Sequence, residues 1–170
     1  MMRVLLDTNV YAELVLDEEV QMELLGRIPS RIIVYGSEVN RHELRDLPKG
    51  LQLHDRNERI LLLRVYDLLT QKEKRTYRTT PFVEMLALKY FEEYVRLKGN
   101  KGYEELRKDF VIVATASLHN LDVVVSEDKK TMFSAEARKA YEAVNQNNQI
   151  RTPQMIGYAE FKQMLRRIAP

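Results

Sequence analysis

Four acids stand where a fold can bring them together: Asp7, Glu43, Asp109 and Asp128. The chain holds 25 acidic residues, so acidity alone selects nothing and position must do the selecting. Asp7 ends the apolar run Val4–Leu6 in MMRVLLDTNVYAELV. Asp128 follows a second run in VVVSEDKK, with Ser126 between run and acid. Glu43 lies in SEVNRHELRDL, where Val39, Glu43 and Leu47 recur every fourth residue and share a helix face. Ser37 is the expected N-cap of that helix. Glu38 is turned about 140° from Glu43, and with Asp46 it is expected in solvent. Asp109 opens DFVIVATASLHN and heads the stripe of Ile112, Val113 and Ala116. Taken alone, Asp109 reads as an N-terminal cap favoured by the helix dipole. Taken with the other three, it reads as a fourth carboxylate aimed at a common point.

Converging buried carboxylates repel one another and lose hydration, so protons or a cation must compensate. With no Cys and no metal-spaced His pair, the ligands would be oxygen only. That set suits a hard ion, Mg²⁺ or Mn²⁺. Such an ion acidifies a bound water and stabilises charge on a phosphodiester, and then no Ser, Cys or His nucleophile is needed.

The elements that must position these acids follow from hydrophobic patterning. Strands are predicted at Val4–Leu6, Ile32–Tyr35 and Val123–Val125. Helical spacing covers Tyr11–Leu16, a segment with Val20, Leu24 and Leu25 that Gly26 and Pro29 close, Arg59–Leu69, Phe82–Leu97, Asp109–Asn120, Glu136–Val144 and Tyr158–Ile168. Strands separated by helices imply an α/β layer with a mainly parallel sheet. Ligands bind such sheets beyond the carboxyl ends of the strands, where Asp7 and Asp128 are expected. The polar stretch Gln71–Thr80 reads as an exposed connection between helices. The whole chain, 1–170, reads as one domain with a helical insertion at about 57–98.

Bulk composition bounds the rest. Apolar residues are 45% and charged residues 31%, which is globular rather than disordered. The net charge is only +2, so a nucleic-acid partner requires local clustering of cations. The absence of Cys removes disulfides, thiolate zinc sites and Cys nucleophiles. No membrane span and no signal peptide are expected, so the expected location is the cytoplasm.

With these residues in place, the sequence resembles a PIN-domain ribonuclease, nearest to the VapC-type toxins or a related archaeal or bacterial PIN protein. LLDTNVYAELV resembles the family's opening strand with Asp-Thr-Asn. SEVNRHEL matches its Ser and Glu, here Ser37 and Glu43. DFVIVATASLHNLDVVVSED matches its third acid, small-residue helix, strand and Ser/Thr-x-Asp ending. Asn40, Arg41 and His42 depart from the family, which usually has apolar or small residues before the Glu. The resemblance implies a Rossmann-like α/β/α sandwich and metal-dependent endonucleolytic cleavage of RNA, leaving 5′-phosphate and 3′-hydroxyl ends. It also implies frequent homodimers and, for a toxin, a small antitoxin partner. It assigns the acidic cluster to Asp7, Glu43, Asp109 and Asp128, with Asn9 and Ser126 as supporting polar residues.

Other residues carry weaker expectations. Asn9 either bonds the turn after the first strand or orders Asp7. Ser126 is expected to hydrogen-bond an acid or backbone, and Glu127 and Asp122 to face solvent. His42 adjoins Glu43 but points about 100° away on a helix, so it is not read as a base. The aromatics of FVEMLALKYFEEYV read as core or dimer surface. RNA phosphates would be held by Lys72, Lys74, Arg75 and Arg78, and by Arg107, Lys108, Lys129 and Lys130 beside the acids. Two rival functions remain open. One is a catalytically silent RNA- or protein-binding module. The other is an RNA-processing nuclease without an antitoxin. An aspartate-nucleophile phosphohydrolase would want an acid where Asn9 stands.

Overall fold

Side chains alternate along β1 (Met2–Leu6), and that alternation divides the protein into its two sides. The computed structural model describes residues 1–27, 31–47, 52–53, 56–71 and 74–168. Leu5 joins one core cluster and Val4 and Leu6 join the other. After β1 come α1 (Thr8–Leu16), α2 (Glu18–Met22) running into a π-helical turn at Glu23–Arg27, β2 (Ile32–Ser37) and α3 (Glu38–Asp46). A short antiparallel pair, β3 (Gln52–Leu53) and β4 (Arg56–Asn57), precedes α4 (Glu58–Leu69), β5 (Thr76–Tyr77) and α5 (Pro81–Arg96). The chain continues through α6 (Tyr103–Leu118), β6 (Val123–Val125), α7 (Ala135–Asn147), β7 (Gln154–Ile156) and α8 (Tyr158–Ile168).

The main sheet has the order β5-β2-β1-β6-β7, and every pairing in it is parallel. From the central β1, the chain builds outward first through β2 and later through β6. The crevice between β1 and β6 is therefore the point where strand order reverses. Leu6 pairs with Val125, so both strands end at the same level. Helices α5, α6 and α7 cover the Leu5 side, while α1, α2, α4 and α8 cover the Val4 and Leu6 side. Helix α3 touches α1 and α4 in one layer and α6 in the other.

Several sequence expectations change. Gln71–Thr80 contains β5, whose Thr76 and Tyr77 pair with Gly36 and Ser37 at the sheet edge. β7 was not foreseen, because three residues between Pro153 and Gly157 carry too little pattern. Helix α1 starts at Thr8 rather than Tyr11. Gly26 does not close its helix; it lies inside the π-helical turn. Helix α6 starts at Tyr103 behind Gly102, so Asp109 sits in its second turn and is not its cap. Pro29, His54 and Lys72 lie outside the described residues. Ser37 caps α3 as expected, accepting the Asn40 N–H at 3.2 Å. Helix α5 begins at Pro81, one residue before the expected Phe82, with Thr80 as its cap. The aromatics of α5 divide: Tyr90 and Tyr94 enter the core, while Phe82 faces outward.

The close approach of α4 to β2 depends on one glycine. The Tyr66 hydroxyl donates to the Ser37 carbonyl at 3.1 Å and stands 3.0 Å from the Thr76 hydroxyl. A methyl group on Gly36 would overlap that hydroxyl. Gly36→Ala is therefore expected to cost about 1–3 kcal/mol, read as a lower urea midpoint. An unchanged midpoint would show that Tyr66 is free to withdraw.

Candidate active site

Asp7 follows Leu6, so its side chain takes the same side of β1 as Leu5, the side covered by α6. It is 5% exposed and heavily bonded. It accepts from the Thr8 N–H at 2.7 Å, the Asn9 amide at 2.9 Å and the Ser126 hydroxyl at 2.7 Å. Ser126 directly follows β6 as Asp7 directly follows β1. Its oxygen accepts the Asp128 N–H at 3.0 Å and the Asn9 amide at 3.2 Å. The hydroxyl has one proton, and that proton is left for Asp7. Of the two roles considered for Asn9, its amide orders Asp7, and its carbonyl accepts the Glu127 N–H at 3.2 Å in the loop after β6 rather than a group of the turn after β1.

The other three acids arrive from separate elements. Glu43, on α3, accepts the Thr8 hydroxyl at 2.5 Å and pairs with the Lys108 ammonium at 3.0 Å. Asp109 comes from the second turn of α6 and lies close to Thr131. Asp128 accepts the Lys130 and Thr131 N–H groups at 2.9 and 2.8 Å and is also bonded by the Thr131 hydroxyl. Thr131 therefore sits between Asp109 and Asp128.

All four acids line one open cleft of about 640 Å³, together with Thr8, Asn9, Val39, His42, Asp46, Leu47, Arg107 and Lys108. Desolvation pushes the Asp7 carboxyl up to about 6, and Glu43 and Asp128 add repulsion. Desolvation pushes Asp109 up to about 7, with Asp7, Asp128 and Glu43 adding to it. Hydrogen bonds from Ser126 and Thr8 pull Asp7 the other way, and nearby Thr131 does so for Asp109.

Sequence reasoning placed α3 about one residue off. Asn40 and Leu44 are its buried positions, and Val39, Glu43 and Leu47 are half-buried at the cleft. The face read as core is a cleft wall. His42 and Asp46 also reach that wall, although both are exposed. Glu127 does not simply face solvent, since it accepts the Tyr158 N–H at the start of α8. Asp122 is also partnered, accepting from the Arg3 N–H and Arg151. Of the basic residues, Arg107 and Lys108 line the cleft, and each is paired, with Glu84 and Glu43. Lys129 borders a neighbouring depression beside Ser126, and Lys130 is exposed. Lys74, Arg75 and Arg78 flank β5 and take no part in the cleft lining. Thr8, Asn40 and Thr131 were missed as site residues.

The donor set fits a hard divalent cation in its chemistry: oxygen only and mutually repelling, with Asp7 and Asp109 desolvated. Among the described residues, however, no three acidic or imidazole side chains close around an ion. Glu43 is engaged by Lys108 instead.

A parallel sheet flanked by two helical layers, with this cleft at its switch point, is the α/β/α fold of PIN domains. No protein-family model matches the sequence, and no curated protein matches it significantly. The fold is similar to that of several solved structures. VapBC2 from Rickettsia felis, bound to a promoter DNA fragment, is 12% identical; the match covers 92% of this chain and 99% of that one, with a TM-score of 0.58. VapBC-1 from nontypeable Haemophilus influenzae is 14% identical over 91% of this chain and 96% of that one, with a TM-score of 0.56. FitAcB from Neisseria gonorrhoeae is 25% identical over 79% of this chain and 93% of that one, with a TM-score of 0.50.

The raised carboxyls make the metal-free protein pH-sensitive. Their pKa values lie above the ordinary 3.8, so the folded state holds protons that the unfolded state releases. Their stabilising contribution is complete below 3.8 and is lost as pH rises through about 6 for Asp7 and about 7 for Asp109. In EDTA, the melting temperature should fall between about pH 4 and about pH 8. Asp109→Asn should flatten the upper part of that fall. A wild-type and a variant curve of the same shape would refute the assignment.

Proposed function

We propose that this protein is a Mg²⁺- or Mn²⁺-dependent endoribonuclease. The observation that carries the reading is the convergence of Asp7, Glu43, Asp109 and Asp128 on one cleft beyond the carboxyl ends of β1 and β6. When bound, the ion supplies an activated water and charge compensation at the scissile phosphate. Asp7 is the central ligand, its carboxylate oriented by Ser126, Asn9 and the Thr8 N–H. Glu43, Asp109 and Asp128 complete the set, directly or through water. Arg107 and Lys108 lie where they can meet RNA phosphates once released from Glu84 and Glu43. Lys129 and Lys130 extend that basic rim, and Lys74, Arg75 and Arg78 form a more distant one.

The fold is shared with VapBC and FitAB structures, which are toxin–antitoxin complexes. That likeness supports a toxin held by a small antitoxin, and a homodimer in the cytoplasm is part of the same proposal. No described helix is long and apolar enough to cross a membrane. A second reading, an RNA- or protein-binding module that does not cut, is favoured by the Lys108–Glu43 pair and by acids that do not close around an ion.

RNA cleavage separates the two. Wild-type protein with Mn²⁺ should cut single-stranded or structured RNA, EDTA should stop it, and Asp7→Asn should reduce it to background. Equal cleavage by wild type and variant would sink the nuclease reading. Retention of RNA without cleavage would favour the binding module.

A further inference from the structure

We infer that Thr8 and Asn40 are positioning residues for Glu43, forming a hydrogen-bond relay in which buried Asn40 dictates the direction of the Thr8 hydroxyl. The inference rests on the reading of Glu43 as a metal-holding acid. Its observation is the chain of bonds from the α3 cap to the cleft. The Ser37 oxygen accepts the Asn40 N–H at 3.2 Å, and the Ser37 hydroxyl donates to the Asn40 side-chain carbonyl at 2.6 Å. That bond fixes which end of the amide faces which way. The Asn40 NH₂ is turned to Thr8, at 3.1 Å from its hydroxyl oxygen. An amide NH₂ only donates, so Thr8 must accept there. Its single proton then goes to Glu43, 2.5 Å away.

Burial supports the argument. Asn40 is fully buried on α3, where its buried neighbour on the same helix is Leu44. A buried amide without partners is costly. This one has both ends satisfied, and the far end of the relay is a cleft acid. Thr8 therefore serves two carboxylates at once: its N–H binds Asp7 and its hydroxyl binds Glu43. The Ser126 hydroxyl is aimed at Asp7 by the same means, with donors on its oxygen forcing its proton outward. With one Glu43 oxygen held by Thr8, the other is turned toward Lys108.

The test is Mn²⁺ affinity of the purified protein, measured by calorimetry, with the melting temperature and RNA-cleavage kinetics followed in parallel. Thr8→Val keeps shape and removes the hydroxyl, while Thr8→Ser keeps the hydroxyl. Asn40→Asp replaces the donor facing Thr8 with an acceptor and draws the Thr8 proton away from Glu43. Thr8→Val and Asn40→Asp should weaken Mn²⁺ binding about 10- to 100-fold, and Thr8→Ser should restore it. Wild-type affinity in a folded Thr8→Val, beside loss of binding in Asp7→Asn, overturns the relay and leaves the metal reading standing. Undiminished binding in Asp7→Asn overturns both. Should Asn40→Asp fail to fold, the Thr8 pair decides alone.

Discussion

The structure depends on a crowding of negative charge at the level where β1 and β6 end together. Parallel pairing of Leu6 with Val125 puts the Asp7 N–H on the Val125 carbonyl at 2.9 Å. From there the next residues, Asp7 after one strand and Ser126 after the other, have nowhere to go but the same crevice. Helix α6 then closes over that side and brings Asp109, and α3 brings Glu43. Desolvation opposes the ionised acids and raises Asp7 and Asp109, and their mutual repulsion adds to it. Much of the surrounding polar structure can be understood as the response.

That response is made mainly of groups that can only give. Backbone N–H groups bind Asp7 and Asp128, and the hydroxyls of Thr8 and Ser126 are turned into donors by amides bonded to their oxygens. A hydroxyl in isolation is indifferent between donating and accepting. Here the indifference is removed by Asn9 and Asn40, each with its own amide oriented by a further bond. The result is a cluster held by directional bonds as well as by Lys108.

The acids were legible in the sequence because strand ends and helix faces have a period. Asp7 and Asp128 follow short apolar runs, and Glu43 stands four residues from Val39 and Leu47. The frame was legible for the same reason at β1, β2 and β6. It failed at β5 and β7, which are two and three residues long and exist through pairing with Gly36–Ser37 and Val123–Val125. It failed at the start of α6 because Tyr103–Lys108 is mostly polar. Thr8, Asn40 and Thr131 escaped for another reason. Their contribution lies in which atom donates to which, and no spacing records that. Asn40 was visible only as a departure from the family pattern.

The last helix has a consequence for the first loop. Glu127 donates its N–H to the Asn9 side-chain carbonyl, and its carboxylate accepts the Tyr158 N–H at the start of α8. Further along, Lys162 of α8 grips Asp17, just after α1. Helix α8 thus spans from the loop that carries Ser126 and Asp128 to the far end of the helix that Asp7 begins. It is a brace fastened at both ends of the segment it holds, so the final turns of the chain bear on the geometry of its seventh residue.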